Sequence, residues 1–119
     1  MAQTLKEAGA VIRALELVEA GDFGIMRVIA DEPKKVKQQL GIQGIIATIS
    51  PVFAVEIADQ SGCFGRMVHI LAHANIDVAY TYMAPHGAHG AYVVKTDPAH
   101  LSRAIEELER KGIKVLDAL

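Results

Sequence analysis

The chain has 119 residues, 51% of them apolar and 22% charged, and a formal net charge of −2. That composition excludes a disordered chain and fits one ordinary domain or two very small ones. The faint acidic balance argues against coating nucleic acid or anionic lipid, and no run of about 18 apolar residues exists to cross a membrane.

The first residues, Ala2–Ala8, read as the end of a helix, and Lys6 and Glu7 leave no room for a hydrophobic signal core. Strands are predicted at about Ala10–Glu19 and Phe23–Ala30, around the turn Ala20-Gly21-Asp22. A short helix, Pro33–Leu40, buries Val36 and Leu40. Its proline sits at the first helical position, where a missing N–H costs nothing. A strand at Ile45–Ser50 leads into a second run. That run begins with a strand at Val52–Ala58, carrying Phe53, Val55 and Ile57 on one face. A helix, Gly62–Asn75, follows with the stripe Phe64, Met67, Val68 and Leu71. A strand at Ile76–Met83, a turn at His86–Gly90 and a strand at Ala91–Thr96 come next. The helix Pro98–Lys111 has Leu101, Ile105 and Leu108 at helical spacing, and Ile113–Leu116 closes as a strand.

The two runs share landmarks in the same order. Leu5 to Ile12 parallels Leu71 to Val78, each a last helical turn, a Gly or Asn, then a strand. Ala30-Asp31-Glu32-Pro33 parallels Lys95-Thr96-Asp97-Pro98, and Gly41-Ile42 parallels Gly112-Ile113. The offsets are roughly 65 to 71 residues. The second run is a full βαββαβ, the split βαβ plan of the ferredoxin-like sandwich. The first lacks the leading strand and half of the first helix. The expected fold is therefore α+β, with two ferredoxin-like units at 1–50 and 51–119 and helices on one face of an antiparallel sheet. Strands apolar on both faces, such as Phe23–Ile29, add an expectation of further burial against another sheet or subunit.

Val55-Glu56-Ile57-Ala58-Asp59-Gln60-Ser61-Gly62-Cys63-Phe64 resembles the strand-to-helix signature of the ACT-domain family. Asn75-Ile76-Asp77-Val78 is similar to the family's helix-end segment. Gly24–Ile29 with Asp31 and Pro33 is similar to its third strand and second helix start. The doubled order resembles proteins with two ACT domains in tandem, including the ACT regions of acetolactate synthase small subunits. Ser61 stands where the signature usually has proline, which implies a less rigid loop. The first unit has no signature loop, so a preceding segment or a partner chain would have to supply its strand.

The resemblance implies amino-acid binding and a regulatory, non-catalytic role. It implies a homodimer or larger homo-oligomer, and an amino-acid biosynthetic enzyme as a further partner. The loop Asp59–Phe64 would hold the ligand near an interface between ACT modules. Free N–H groups and the helix dipole there suit a carboxylate, and Gly62 admits close approach. Asp59 would accept an ammonium; Ser61, Cys63 and Phe64 line the same turn; Asn75 and Asp77 would add polar contacts from a facing module. Each has a plainer reading. Asp59 or Ser61 caps the helix, Gly62 makes a tight turn, Asn75 is a C-cap, and Asp77 is solvated.

Competing readings are narrower. Cys63 at a helix start favours a thiolate and a redox sensor, against a buried cysteine acting as a small hydrophobe. It is the chain's one cysteine, which excludes an internal disulfide and fits a reducing, cytoplasmic setting. His69 and His73 have the i,i+4 spacing that holds a metal ion, yet sit with Arg66 on a polar face. Tyr80, Tyr82 and Tyr92 on strands suggest a base-stacking platform, which the acidic balance disfavours. Catalytic motifs and phosphate loops are absent, so no catalytic residue, metal ligand or cofactor is assigned.

Overall fold

The computed structural model describes residues 2–7, 9–58 and 61–119. It divides into two compact units, Met1–Ser50 and Pro51–Leu119. Both are mixtures of helices and antiparallel strands of the ferredoxin-like kind.

In the second unit the order is β3 (Phe53–Glu56), α3 (Cys63–His73), β4 (Val78–Ala84), β5 (Ala91–Thr96), α4 (Leu101–Arg110) and β6 (Val115–Leu116). The four strands lie in the order β4-β5-β3-β6, every neighbour antiparallel. β3 is thus internal, with Phe53 opposite Val94 and Val55 opposite both Tyr92 and Val115. Its inward residues Phe53 and Val55 join Met67, Ile70 and Leu71 of α3 and Ala104 and Leu108 of α4 in one buried cluster. Both helices therefore cover the same sheet face. Two arginines tie them together. Arg103 on α4 donates from Nη1 to the Ala74 carbonyl at the end of α3, at 2.6 Å. Arg66 on α3 donates to the Lys111 carbonyl at the end of α4. Each guanidinium meets the negative end of the other helix dipole, which fixes an antiparallel pair.

The first unit has α1 (Ala2–Glu7), β1 (Ile12–Ala20), β2 (Phe23–Ala30) and α2 (Pro33–Ile42). β1 and β2 make a tight hairpin that closes at the Ala20–Phe23 pair around Gly21 and Asp22. Leu5, Val36 and Leu40 form its small buried cluster, with Met26, Val28 and Ala30 of β2 packed against it.

Hydrogen bonds confirm the repeat at atomic detail. Gly9 N–H donates to Lys6 and Ala10 N–H to Leu5, as Asn75 N–H donates to Ala72 and Ile76 N–H to Leu71. Gly9 and Asn75 are both left-handed, at φ 68° and 58°. Both hairpins also slip register at the same step, between Ile12 and Ala14 and between Val78 and Tyr80.

Four expectations are corrected. Gly41-Ile42 is not a helix stop, because α2 runs through it. The stop is Gly44-Ile45, whose N–H groups bond Gly41 and Leu40 as Gly112 and Ile113 bond Glu109 and Leu108. Both glycines are left-handed, and a glycine inside the last turn misled the sequence reading. Ile45–Ser50 is not a strand. Its counterpart β6 pairs with β3, and among the described residues of the first unit no strand occupies the place of β3. The buried stripe of α3 is Met67, Ile70 and Leu71, while Phe64 and Val68 are 44% and 39% exposed. The three tyrosines do not share one platform. Tyr80 and Tyr82 stack on one face of the sheet, whereas Tyr92 packs with the helix-side core.

Candidate functional site

The chain leaves β3 at Glu56, a half-buried carboxylate 3.8 Å from Lys114 Nζ and 4.0 Å from His86 Nε2. Ile57 is buried, and its N–H donates to the Gly90 carbonyl at 3.0 Å. Gly90 is required there: its φ is +89°, and a Cβ would stand 2.9 Å from the Ala84 carbonyl oxygen. The 85–90 loop thus anchors the start of the candidate loop.

Asp59, assigned to the ligand ammonium, lies outside the described residues. Ser61 is exposed. Gly62 is the residue before α3, left-handed at φ 78° and ψ −4°. It has no side chain to cap the helix, and a Cβ there would meet nothing within 4 Å among the described residues. Its carbonyl accepts from Arg66 N–H at 2.9 Å, closing the first turn. Cys63, Phe64 and Gly65 supply the first backbone N–H groups of the helix, which have no partner within its own ladder. Cys63 is half-buried and Phe64 sets its ring edge-on to Tyr92, centroids 5.3 Å apart. The result is a helix start with positive dipole, open space over a glycine and an aromatic wall. That suits a small anion with an apolar body.

Asn75 and Asp77 lie elsewhere. They follow the C-terminal end of α3, about 16 Å along the helix from Gly62 at 1.5 Å per residue. Both are exposed and border a cleft with Lys95, Asp97 and His100. The structure therefore groups Ser61–Phe64 at one end of the unit and Asn75 with Asp77 at the other. Contact with one ligand needs a facing module, as the resemblance implies. Asn75 also has the positive φ of a helix-ending residue, which accounts for it structurally.

His69 and His73 are exposed neighbours, ring centroids 4.3 Å apart. No cluster of three or more His, Cys, Asp or Glu among the described residues could hold a metal ion. The groove beside them is lined by Arg103, Arg110 and Lys111 with one carboxylate, Glu107, which is paired to Arg110, so its balance is positive.

Two features escaped the sequence reading. One is the Glu56–His86–Lys114 group, whose members are far apart in sequence. The other is an apolar cleft of about 250 Å³ in the first unit, lined by Leu5, Met26, Val28, Val36, Leu40 and Ile49. Its signal was present in the missing strand.

The architecture is a tandem of ferredoxin-like units. The family model for an ACT domain pair matches residues 1–115, and the chain belongs to that family. ACT domains are generally regulatory modules that bind small molecules. Among solved structures, the chain is similar to protein BT0572 from Bacteroides thetaiotaomicron, at 24% identity and a TM-score of 0.83. The match covers 97% of this chain and 78% of that one, and it shows the fold. No curated protein matches the sequence. No helix among the described residues is long and apolar enough to cross a membrane.

Proposed function

We propose that the protein is a non-catalytic, cytoplasmic amino-acid sensor. Its ligand carboxylate sits on the N–H groups that open α3, with Asp59 taking the ammonium and Phe64 beside the side chain. The carrying observation is Gly62, left-handed and unobstructed at that helix start. Asn75 and Asp77 contribute from another ACT module in a homodimer or larger homo-oligomer. In that form the protein serves as a regulatory subunit of an amino-acid metabolic enzyme.

The test is a panel of the common amino acids read by thermal shift and calorimetry. One amino-acid class is expected to raise the melting temperature. Gly62→Asn keeps the left-handed backbone, which asparagine tolerates, yet fills the open space. It is expected to fold and to lose binding at least tenfold. Binding that survives it removes this site. A shift with zinc alone, abolished by His73→Ala, would favour the metal-sensing alternative at His69 and His73, and a shift lost on Cys63→Ser under oxidant the redox one.

A further inference from the structure

The histidine pair on α3 has no part in the proposed ligand loop, and among the described residues no third ligand joins it to hold a metal. It borders a trough between α3 and α4 of about 450 Å³, a volume in the range of small-ligand sites. The antiparallel helix pair sets the plan of this trough. Arg103, Glu107 and Arg110 share one face of α4, the two arginines about 10 Å apart at 1.5 Å per residue. Arg66, Ile70 and His73 share the facing side of α3 at the same spacing. A guanidinium bridges the helices at each end, Arg66 to the Lys111 carbonyl and Arg103 to the Ala74 carbonyl. Ile70, buried between them, belongs to the floor.

We propose that this trough is an anion site, separate from the loop at Gly62, for a small molecule that bears two or more phosphoryl groups. Arg103, Arg110 and Lys111 line it against one carboxylate among the described residues, Glu107, which is itself paired with Arg110. That is a local positive excess in a chain whose net charge is −2. Arg103 is held by two contacts, to the Ala74 carbonyl at 2.6 Å and to His100 Nδ1 at 3.2 Å. A guanidinium has more N–H donors than those two contacts use, and one already held loses less freedom on meeting an oxyanion. Cations toward both ends of the trough suit a ligand with two anionic groups, each able to take charge-assisted bonds. The bridges at the two ends block an extended chain from running along the trough, which favours a small molecule over a peptide.

His69 and His73 make the site sensitive to pH. Both are exposed, with ring centroids 4.3 Å apart. The charged groups around them are Arg66 on their own helix, Arg103, Glu107 and Arg110 from α4, and Lys111 just beyond it. Histidine gains its charge as pH falls through about 6.5. Two charged rings this close, among these cations, repel one another, and a bound polyanion offsets that repulsion. Binding therefore takes up protons, and affinity rises as pH falls.

The experiment titrates the 119-residue protein with pyrophosphate at constant ionic strength, by calorimetry at about pH 8 and about pH 6. Saturable binding to one site is expected, about tenfold tighter at the lower pH. Arg110→Gln/Lys111→Gln alters two exposed side chains and leaves the Lys111 carbonyl to Arg66. It is expected to fold, to lose about tenfold in pyrophosphate affinity at both pH values, and to bind amino acids unchanged. His69→Gln/His73→Gln is expected to keep the affinity at high pH and lose the gain at low pH; the probe's own ionisation is common to both proteins. Lys34→Gln/Lys35→Gln, in the first unit, is expected to bind as the parent does. Absent saturation, equal binding by the Arg110 and Lys111 variant, or a gain at low pH that survives without the histidines overturns the proposal. So does tighter binding of a polyglutamate peptide than of pyrophosphate, which would give the trough to an acidic protein partner.

Discussion

The two units solve the same packing problem with unequal material. In the second, an internal β3 lets ten buried side chains meet in one cluster between sheet and helices. In the first, two strands and two helices enclose three, and apolar residues of β1 and β2 reach solvent. The turns are nevertheless matched bond for bond at Gly9 and Asn75, and at Gly44 and Gly112. Local chemistry matches although no described strand of the first unit stands where β3 does in the second. The hairpin and caps match without a described strand beside β2 opposite β1, and residues 45–50 make no ladder pairing. Helix termini and turns are set by a few neighbouring residues, whereas a core needs every layer.

The sharpest test of the contrast is a matched pair of truncations. Leu108→Ala is expected to cost about 4 kcal/mol, because the site is fully enclosed and leaves a cavity. Leu40→Ala, its counterpart beside the open cleft, is expected to cost about 2 kcal/mol, since the surroundings can relax. Chemical denaturation followed by residue-resolved amide exchange would separate them. Equal costs would mean that the first unit is packed as firmly as the second.

The turns should not distinguish the units. Gly44→Ala and Gly112→Ala each force a side chain into a left-handed residue, at about 1 kcal/mol, with no steric clash at either. A much larger loss at one of them, measured by urea unfolding, would break the match. A smaller effect runs the other way. The Thr81 hydroxyl is buried with no hydrogen-bond partner among the described residues. Thr81→Val is expected to raise stability by up to about 1 kcal/mol, visible as a higher melting temperature.

The smallest effect belongs to the first unit alone. Arg13 grips Asp31 through two bonds of 2.8 and 2.9 Å, whereas in the second unit the Asp97 carboxylate accepts from Ala99 N–H and caps the turn that precedes α4. The hydrogen bond from Arg13, helped by its charge, holds the Asp31 carboxyl below its ordinary value. A depressed carboxylate stabilises fully above its unfolded pKa, about 3.9. That contribution is lost as pH falls through the lower folded value. Asp31→Asn should flatten this part of the acid limb, and salt should weaken it, because the pair is exposed. A carboxyl titration by NMR showing an ordinary Asp31 would refute the pairing in solution.

Much of this architecture was legible in the sequence. Apolar spacing and the repeated landmarks located the helices and strands, and Pro33 and the stops at Gly9, Asn75 and Gly112 marked helix ends, because those residues have narrow backbone roles; Pro98 instead opens a 3-10 turn, and α4 begins at Leu101. The strand expected at Ile45–Ser50 was not, since its apolar pattern is genuine but a strand exists only beside another. The stripe on α3 was misjudged because Phe64 and Ile70 are equally apolar, and burial depends on what the sheet places opposite. The helix start at Gly62 was readable from one glycine. The separation of Asn75 from it along α3 was equally available from helix geometry, whereas the Glu56, His86 and Lys114 grouping needed the folded chain.

The slip of register in each hairpin sets the parity of everything after it. Val78 faces the helix side, so strict alternation would send Tyr80 and Tyr82 there too. One additional residue reverses them: Thr81 and Met83 turn toward the helices, and the tyrosines turn away. The same reversal after Ile12 aims Leu15 and Leu17 at the helix side of the first unit. Removing one residue at Arg13 or Ala79 would therefore exchange the two surfaces of the strand rather than shorten it.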